Sequence, residues 1–184
     1  MASRFRMAKA MIALDPNGRL DADVSWIGDP GAPFVLQQGQ DLGARLSHAF
    51  GEAFRLGAYK VLVIGTDCPE MEETHLTNAL MLLDRKDAVL APARDGGYTL
   101  IGLKRPRPEL FEGVDWSTDQ VLLQTIERIQ LQRLSLGLLP EMEDIDTAQN
   151  LESLAGRLRR PGLPGLRDTR EAIGEIWQKT LARL

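Results

Sequence analysis

The chain has 184 residues, of which 43% are hydrophobic, and this length fits a single domain with a sizeable core. Its 26 acidic residues outnumber its 22 basic ones, and the formal charge of −4 provides no overall basic field, which argues against nucleic acid as a partner. One cysteine and two histidines exclude an internal disulfide, a zinc-binding cysteine cluster and a histidine-rich metal centre.

The sequence contains no apolar run that approaches the ~18 residues of a membrane-spanning helix. Its start, MASRFRMAKAMIALDP, lacks the long apolar stretch and the small-residue cleavage site of a secretory signal. We therefore expect a cytoplasmic protein without a membrane span. Any metal that it binds is expected to be a hard cation held by oxygen atoms.

Short apolar runs alternate with helical patterns in the first part of the chain. The run KAMIAL at residues 9–14 predicts a strand that ends at the turn sequence DPNG, and Phe34–Leu36 predicts another short strand. From residue 42 to residue 54, apolar residues recur at helical spacing behind Asp41, which is placed to cap the helix. This helix leads into Val61–Ile64, an apolar run typical of a strand covered on both faces.

The alternation continues in the middle of the chain. Thr74 is placed to cap a second helix, and two predicted strands follow it, near residues 88–91 and 98–103. Ser117 and Gln120 have the spacing of a capping box, which predicts that a third helix opens there.

The last part of the sequence predicts one more strand and two helices. The strand lies near residues 134–139, and Thr147 is placed to cap the helix AQNLESL. Residues 167–184 carry apolar side chains at helical intervals, so they predict an amphipathic C-terminal helix whose apolar face favours a homodimer. Strands that alternate with helices indicate an α/β fold, a mostly parallel sheet flanked by helices, within one domain over residues 1–184.

Acidic loops follow three of the predicted strands. Asp67 follows the strand that ends at Ile64, Asp95 follows the strand near residue 91, and the pair Asp144 and Asp146 follows the strand near residue 139. If these strands are neighbours, the loops open on one edge of the sheet, where α/β proteins bind ligands. Converging carboxylates suit Mg²⁺ or Mn²⁺. The alternative is that each Asp satisfies backbone N–H groups in its own loop.

The segment RDGGY also allows two interpretations. The adjacent glycines Gly96 and Gly97 permit positive φ and let a ligand approach the backbone. Alternatively, Asp-Gly marks a hairpin turn between Ala91 and Tyr98. Tyr98 would stack on a sugar in the first case and pack in the second.

The segment DWSTD places an aromatic residue before a helix N-terminus, where free N–H groups favour an anion. Ser117 acts either as a simple cap or as a ligand contact, and Trp116 is a core residue, a lid residue or a ligand contact. Cys68 lies next to a carboxylate, which is expected to raise the pKa of its thiol and make it a poor nucleophile.

Four motifs, in this order, closely resemble a bacterial family known as radical-SAM/selenodomain-associated transferase 1: IGTDCPEM, VLAPARDGGYTLIGL, LFEGVDWSTDQVL and LLPEMEDIDTAQNLESL. The segment QQGQDLGARLSHAF resembles the part of that family before the Asp loop, so the resemblance covers roughly residues 10–154. Proteins of this family are assigned to the GT-A glycosyltransferase-like superfamily.

The resemblance implies a GT-A fold, in which an Asp at the end of a central strand coordinates a divalent cation that bridges the diphosphate of a nucleotide sugar. Asp67 matches that position. The resemblance also implies that Asp95 and the two glycines after it line the sugar or acceptor side, and that Asp144 or Asp146 completes the acidic cluster.

The motifs and the resemblance together predict a metal-dependent, glycosyltransferase-like enzyme with a nucleotide-diphosphate sugar donor and a small-molecule acceptor. Mg²⁺ or Mn²⁺ would be held by Asp67, Asp144 and Asp146. Asp95 would be the catalytic residue that orients or deprotonates the acceptor hydroxyl. The residues expected to bind substrate are Thr66, Gly96, Gly97, Tyr98, Trp116, Ser117 and Thr118.

Two alternatives to this function stay open. In the first, the same scaffold is a nucleotidyltransferase, on which a sugar phosphate or phosphorylated acid attacks the α-phosphate of a nucleoside triphosphate. In the second, the protein binds a partner or ligand without catalysis. The second is suggested because family members normally begin with an additional strand and a nucleotide-binding loop, and this chain is expected to lack both.

Overall fold

The computed structural model describes residues 8–15, 31–158 and 169–174. The strands are β1 (Ile12–Leu14), β2 (Phe34–Leu36), β3 (Val61–Ile64), β4 (Ala88–Pro92), β5 (Tyr98–Leu103) and β6 (Leu136–Leu138). The helices are α1 (Leu42–Arg55), α2 (Glu73–Arg85), α3 (Val121–Leu131) and α4 (Ala148–Leu158), with a 3₁₀ turn at Pro108–Leu110. Strands and helices therefore alternate as the sequence predicts.

The main sheet has four strands in the order β3-β5-β4-β6. β5 is antiparallel to both β3 and β4, and β6 is parallel to β4. Hence β3, β4 and β6 run in one direction and β5 runs in the other. The α/β fold class is confirmed, and β4 with β5 forms the hairpin that was one of the two interpretations of RDGGY.

The side chains of the central strands alternate between two helical layers. In β4, Leu90 lies in the cluster that contains Phe50 of α1 and Ile129 of α3. Its neighbour Val89 lies on the opposite face, in the cluster that contains Leu83 of α2. This period of two, with both faces buried, is that of a strand inside a sheet covered by helices. The loops that follow these strands therefore extend from the buried core.

The ends of the helices differ in part from the sequence prediction. Asp41 caps α1 as expected, since its Oδ1 accepts a hydrogen bond from Ala44 N at 2.7 Å. The prediction for Thr74 is wrong because α2 begins at Glu73, where the backbone N–H of Glu72 donates to His75 Nδ1 at 3.0 Å. The capping box predicted for Ser117 is also wrong, because α3 begins after Gln120.

α3 begins later than predicted, after a turn stabilised by a threonine. Gln120 is the N-cap residue and makes no side-chain cap hydrogen bond. The hydroxyl of Thr118 accepts from Gln120 N at 3.2 Å and donates to the carbonyl of Asp115 at 2.7 Å. Ser117 has a positive φ of 64°, so its backbone does not have the extended conformation usual for an N-cap.

The remaining predicted elements lie at the borders of the described chain. β1 and β2 form a separate two-stranded parallel sheet, and most of the turn predicted at residues 15–18 lies outside the described residues. Of the predicted C-terminal helix, residues 169–174 are described and are helical, and Ile173 packs with Leu154 and Leu158 of α4. Among the described residues, none of the helices has the length and apolar character that crossing a bilayer requires.

Candidate metal and substrate site

The carboxyl ends of β3, β4 and β6 lie on the same edge of the main sheet because these strands run in the same direction. The loop after β6 is fixed between the other two loops by backbone hydrogen bonds. Met142 N donates to the carbonyl of Pro92 at 2.9 Å, and Ile145 N donates to the carbonyl of Asp67 at 2.9 Å. The acidic loops predicted from the sequence therefore meet at one edge.

Three carboxylates converge at this edge. Asp95, Asp144 and Asp146 each offer a carboxylate oxygen, and these oxygens lie within 4.8 Å of one another. Asp95 and Asp146 are exposed, and Asp144 is half-buried between the loops. We call these three residues the acidic cluster.

The acidic cluster is electrostatically suited to a cation. Burial raises the pKa of the Asp144 carboxyl, and the negative charges of Asp95, Asp146 and Asp67 raise it further. A bound divalent cation would relieve this repulsion, and oxygen ligands are those that Mg²⁺ and Mn²⁺ prefer. The residues present therefore fit such an ion.

Asp67 lies beside the acidic cluster and outside the group of three. Its side chain is exposed and folds back toward Gly65, where an added Cβ would lie 2.6 Å from Asp67 Oδ1. The sequence suggested that Asp67 joins Asp144 and Asp146 around the metal and that Asp95 acts in catalysis. The structure brings Asp95 to that pair, and Asp67 contacts the same loop through its carbonyl.

The hairpin between β4 and β5 holds Asp95 in place. Asp95 Oδ1 accepts a hydrogen bond from Gly97 N at 2.8 Å. Gly96 has a φ of 92°, and its carbonyl accepts from Leu122 N at 2.8 Å, at the start of α3. A Cβ on Gly96 would lie 2.6 Å from Asp119 Cα. Only glycine fits this position, because the turn is docked directly on the backbone that precedes α3.

Tyr98 packs into the core, the second of its two predicted roles. Its side chain lies against the cluster formed by α1, α3 and the sheet. Burial raises the pKa of its hydroxyl, and the neighbouring Thr125 hydroxyl opposes this shift in part. Both hydroxyl oxygens are buried without a well-formed hydrogen bond within the described part of the chain.

Trp116 also contacts the core, and its two neighbours remain at the surface. The indole packs closely on α1, since an added Cβ on Gly43 would lie 2.5 Å from Trp116 Nε1. Ser117 and Thr118 are exposed and belong to the turn that leads to Asp119, against which the hairpin docks. Thr66 is exposed in the loop after β3. Thr66, Ser117 and Thr118 are therefore open to solvent near this edge.

The sequence profile of a family described as "Uncharacterized protein conserved in bacteria (DUF2064)" matches residues 2–118. The chain belongs to this family. The matched stretch includes Asp67, Asp95 and the two glycines of the hairpin, while Asp144 and Asp146 lie beyond it.

Two further proteins are similar to this chain. A solved structure from Desulfovibrio desulfuricans G20, provisionally assigned as a nucleotide-diphospho-sugar transferase, superposes with a TM-score of 0.78 and 32% identity, over 94% of this chain and 78% of that chain. The 2-phospho-L-lactate guanylyltransferase of Methanocaldococcus infernus (strain DSM 11812 / JCM 15783 / ME) is 30% identical over 81 residues, which are 40% of this chain and 38% of that protein. The chain thus spans well under half of the curated relative. The structural similarity confirms the GT-A-like fold, and the narrower family name suggested by the motifs stays a prediction.

Two further features lie near the site, and the sequence pointed to only the first of them. Cys68 is buried, and its thiol pKa rises to about 11, first because of burial and then because of the charges of Asp67 and Asp144. The expected rise in the thiol pKa is thus found, and the poor nucleophilicity that it implies stays a prediction. Arg157 of α4 contacts Glu70 and Glu143, which lie in two of the edge loops. No motif contained this arginine, because its partners are 87 and 14 positions away in the sequence and only the fold brings them together.

Proposed function

We propose that this protein is a divalent-cation-dependent transferase that acts on a nucleotide-diphosphate sugar. The observation that carries the proposal is the convergence of the acidic cluster at the carboxyl edge of the sheet. Ligands of open α/β sheets bind beyond the carboxyl ends of the strands. The similarity to the Desulfovibrio structure supports the nucleotide-sugar class of donor.

In the proposed site, Asp95, Asp144 and Asp146 hold Mg²⁺ or Mn²⁺, and Asp67 is a further candidate ligand beside them. The bound ion supplies charge neutralisation for the diphosphate leaving group. The distances favour Asp95 as a ligand, in place of the catalytic role that the sequence suggested. Gly97 N donates a hydrogen bond to Asp95 Oδ1, and in the proposed site this bond orients the carboxylate toward the cation.

The exposed residues around the acidic cluster are the proposed substrate contacts. Thr66 and Ser117 present hydroxyl groups, and Gly97 leaves the backbone of the hairpin without a side chain. Thr118 is exposed beside Ser117, but its hydroxyl is engaged within the turn, so its contact with substrate would be through the rest of its side chain. Tyr98 and Trp116 support this surface from the core side, since both pack against the layer that contains α1. We therefore assign them to the scaffold of the substrate site.

A second candidate function is nucleotidyl transfer, which the similarity to a guanylyltransferase favours. The same carboxylates would hold the cation, and a phosphorylated small molecule would attack the α-phosphate of a nucleoside triphosphate. The two reactions differ in their products, because only nucleotidyl transfer releases pyrophosphate.

Titration calorimetry with Mn²⁺, followed by UDP-, GDP-, CDP- and dTDP-linked sugars, tests the proposal. We expect Mn²⁺ to bind the wild type and to be required for binding of a nucleotide sugar. Asp144→Asn should abolish both. Asp84→Asn is the matched control, because it removes the same charge from α2 at a side chain that is 64% exposed and paired with Lys60. Equal Mn²⁺ binding by wild type and Asp144→Asn would refute the proposed site.

Product analysis then separates the two reactions. In the primary reaction, incubation with a nucleotide sugar and candidate acceptor alcohols should transfer the sugar to an acceptor hydroxyl, or to water, and release nucleoside diphosphate. Incubation with nucleoside triphosphates and phosphorylated acids should release pyrophosphate if the second candidate is correct. Turnover of either kind would rule out the alternative in which the protein binds a partner or ligand without catalysis.

A further inference from the structure

A single guanidinium joins two loops of the sheet edge. Arg157, in the last turn of α4, forms a two-pronged contact with Glu70, with Nε 3.1 Å from Oε1 and Nη2 2.6 Å from Oε2. Its third nitrogen, Nη1, lies 2.6 Å from Glu143 Oε2 and donates to Ser153 Oγ at 2.7 Å. All three nitrogens of Arg157 are thus engaged.

Each carboxylate of this network belongs to a loop that carries site residues. Glu70 follows Asp67 in the loop after β3, and Glu143 immediately precedes Asp144 in the loop after β6. The two loops also meet at the hydrogen bond from Ile145 N to the carbonyl of Asp67. Arg157 therefore stabilises the contact that sets the position of Asp144 relative to the neighbouring loop.

The burial of Glu143 makes this contact stronger than an ordinary surface ion pair. Its side chain is only 10% exposed, and its other oxygen accepts from Asn150 Nδ2 at 3.2 Å. Its Oε2 is buried and faces Arg157 Nη1 as an ion pair. A carboxylate kept charged in a buried position depends on its cation.

We propose that Arg157 is a positioning residue for the cation site: by holding Glu70 and Glu143 together, it fixes the backbone on which Asp144 and Asp146 are mounted. This inference rests on the proposed function, because it assigns a purpose to the network only if the acidic cluster binds a cation. Arg157 does not belong to the acidic cluster and acts through the residues that it holds.

The sign of the change in Mn²⁺ affinity distinguishes positioning from electrostatics. Arg157→Met removes a positive charge close to an anionic site, so simple electrostatics predicts tighter binding of Mn²⁺. Positioning predicts the opposite, and residues that orient metal ligands typically contribute about 10-fold or more in affinity. We expect calorimetry to show Mn²⁺ binding weakened by about 10-fold in Arg157→Met.

Two further variants control for charge and for loss of an ion pair. Arg157→Lys keeps the charge but cannot form the two-pronged contact, and it should weaken Mn²⁺ binding by an intermediate factor; electrostatics alone predicts no change. Arg55→Met removes an arginine from a surface ion pair with Glu52 on α1, at a side chain that is 67% exposed, and should leave Mn²⁺ affinity unchanged. Thermal unfolding of each variant shows whether it is folded at the titration temperature.

Amide hydrogen exchange provides a readout that needs no metal. In Arg157→Met, the Ile145 amide should exchange about 10-fold faster, while the amides of the β4–β5 ladder keep their wild-type rates. Unchanged exchange at Ile145, or Mn²⁺ affinity equal to or above that of the wild type, would overturn the inference. If the wild type itself binds no Mn²⁺, the proposed function fails, and the exchange rates still report whether Arg157 holds the two loops together.

Discussion

The docking of the β4–β5 hairpin on α3 can be tested by adding one methyl group at Gly96. An alanine there has to adopt a φ near 92°, and its Cβ would lie 2.6 Å from Cα and 2.7 Å from C of Asp119. A side chain in this region of φ costs about 1–2 kcal/mol. Because backbone and not a flexible side chain lies in the way, the overlap costs about 1–3 kcal/mol more.

Gly57 offers a matched control within the same chain. It also has a φ of 92°, but nothing lies within 4 Å of an added Cβ. Gly57→Ala should therefore show the backbone cost alone, and Gly96→Ala should show that cost together with the overlap. The loss of freedom that alanine imposes on the unfolded chain is common to both variants and cancels in the difference.

Urea unfolding followed by tryptophan fluorescence measures both free energies. We expect Gly96→Ala to be less stable than Gly57→Ala by about 1–3 kcal/mol, a large share of the about 5–15 kcal/mol that holds a domain folded. Equal losses in the two variants would mean that the hairpin does not dock on Asp119, and the described support of Asp95 would be refuted.

Three other predictions concern ionisable groups. Without metal at pH 7, Asp144→Asn should be more stable than the wild type. The folded-state pKa of Asp144 is raised, so the wild type loses stability as the pH rises through that pKa, and asparagine does not titrate. Urea unfolding across about pH 4–8 should therefore show this loss in the wild type only. Asp87→Asn should lower the free energy of unfolding by about 1 kcal/mol at pH 7, because hydrogen bonds from the Ser135 hydroxyl and N–H stabilise the Asp87 carboxylate and lower its pKa. In urea unfolding, the difference in stability between the variant and the wild type should vanish as the pH falls through that lowered pKa. Cys68 should react slowly with iodoacetamide at pH 8 in the folded protein and quickly in urea, since its thiol pKa is about 11; equal rates would contradict its burial.

Local signals in the sequence predicted most elements because each depends on a few adjacent residues. The apolar run of β3 and the helical spacing with the Asp41 cap of α1 both correspond to observed elements. The start of α3 was mispredicted because Ser117 and Gln120 have the spacing of a capping box, whereas the backbone turns at Ser117 and the Thr118 hydroxyl receives the bond. Tertiary contact between the hairpin and Asp119 determines that turn, and no local pattern encodes it.

The order of strands explains why Asp95 joins Asp144 and Asp146 while Asp67 lies outside that group. Neighbouring strands lie about 4.8 Å apart. β4 and β6 are neighbours, so Asp95 reaches Asp144 and Asp146. β5 lies between β3 and β4, which places the start of the Asp67 loop about two strand spacings from that of the Asp95 loop. The sequence indicates which loops share an edge, but only the pairing of strands shows which of them are adjacent.

The same strand order accounts for the importance of α4 at the site. Since β5 and β4 both lie between β3 and β6, the loops that carry Asp67 and Asp144 cannot be aligned by direct pairing of the strands that precede them. They are joined instead by the Ile145–Asp67 backbone bond and by Arg157, which holds Glu70 and Glu143 from a helix outside the sheet. An acidic cluster assembled from separate loops repels itself, so its carboxylates stay together only where the loops that carry them are held by other contacts. In the positioning role proposed for Arg157, its ion pairs with Glu70 and Glu143 are such a contact, and α4 then supports the site from outside the sheet.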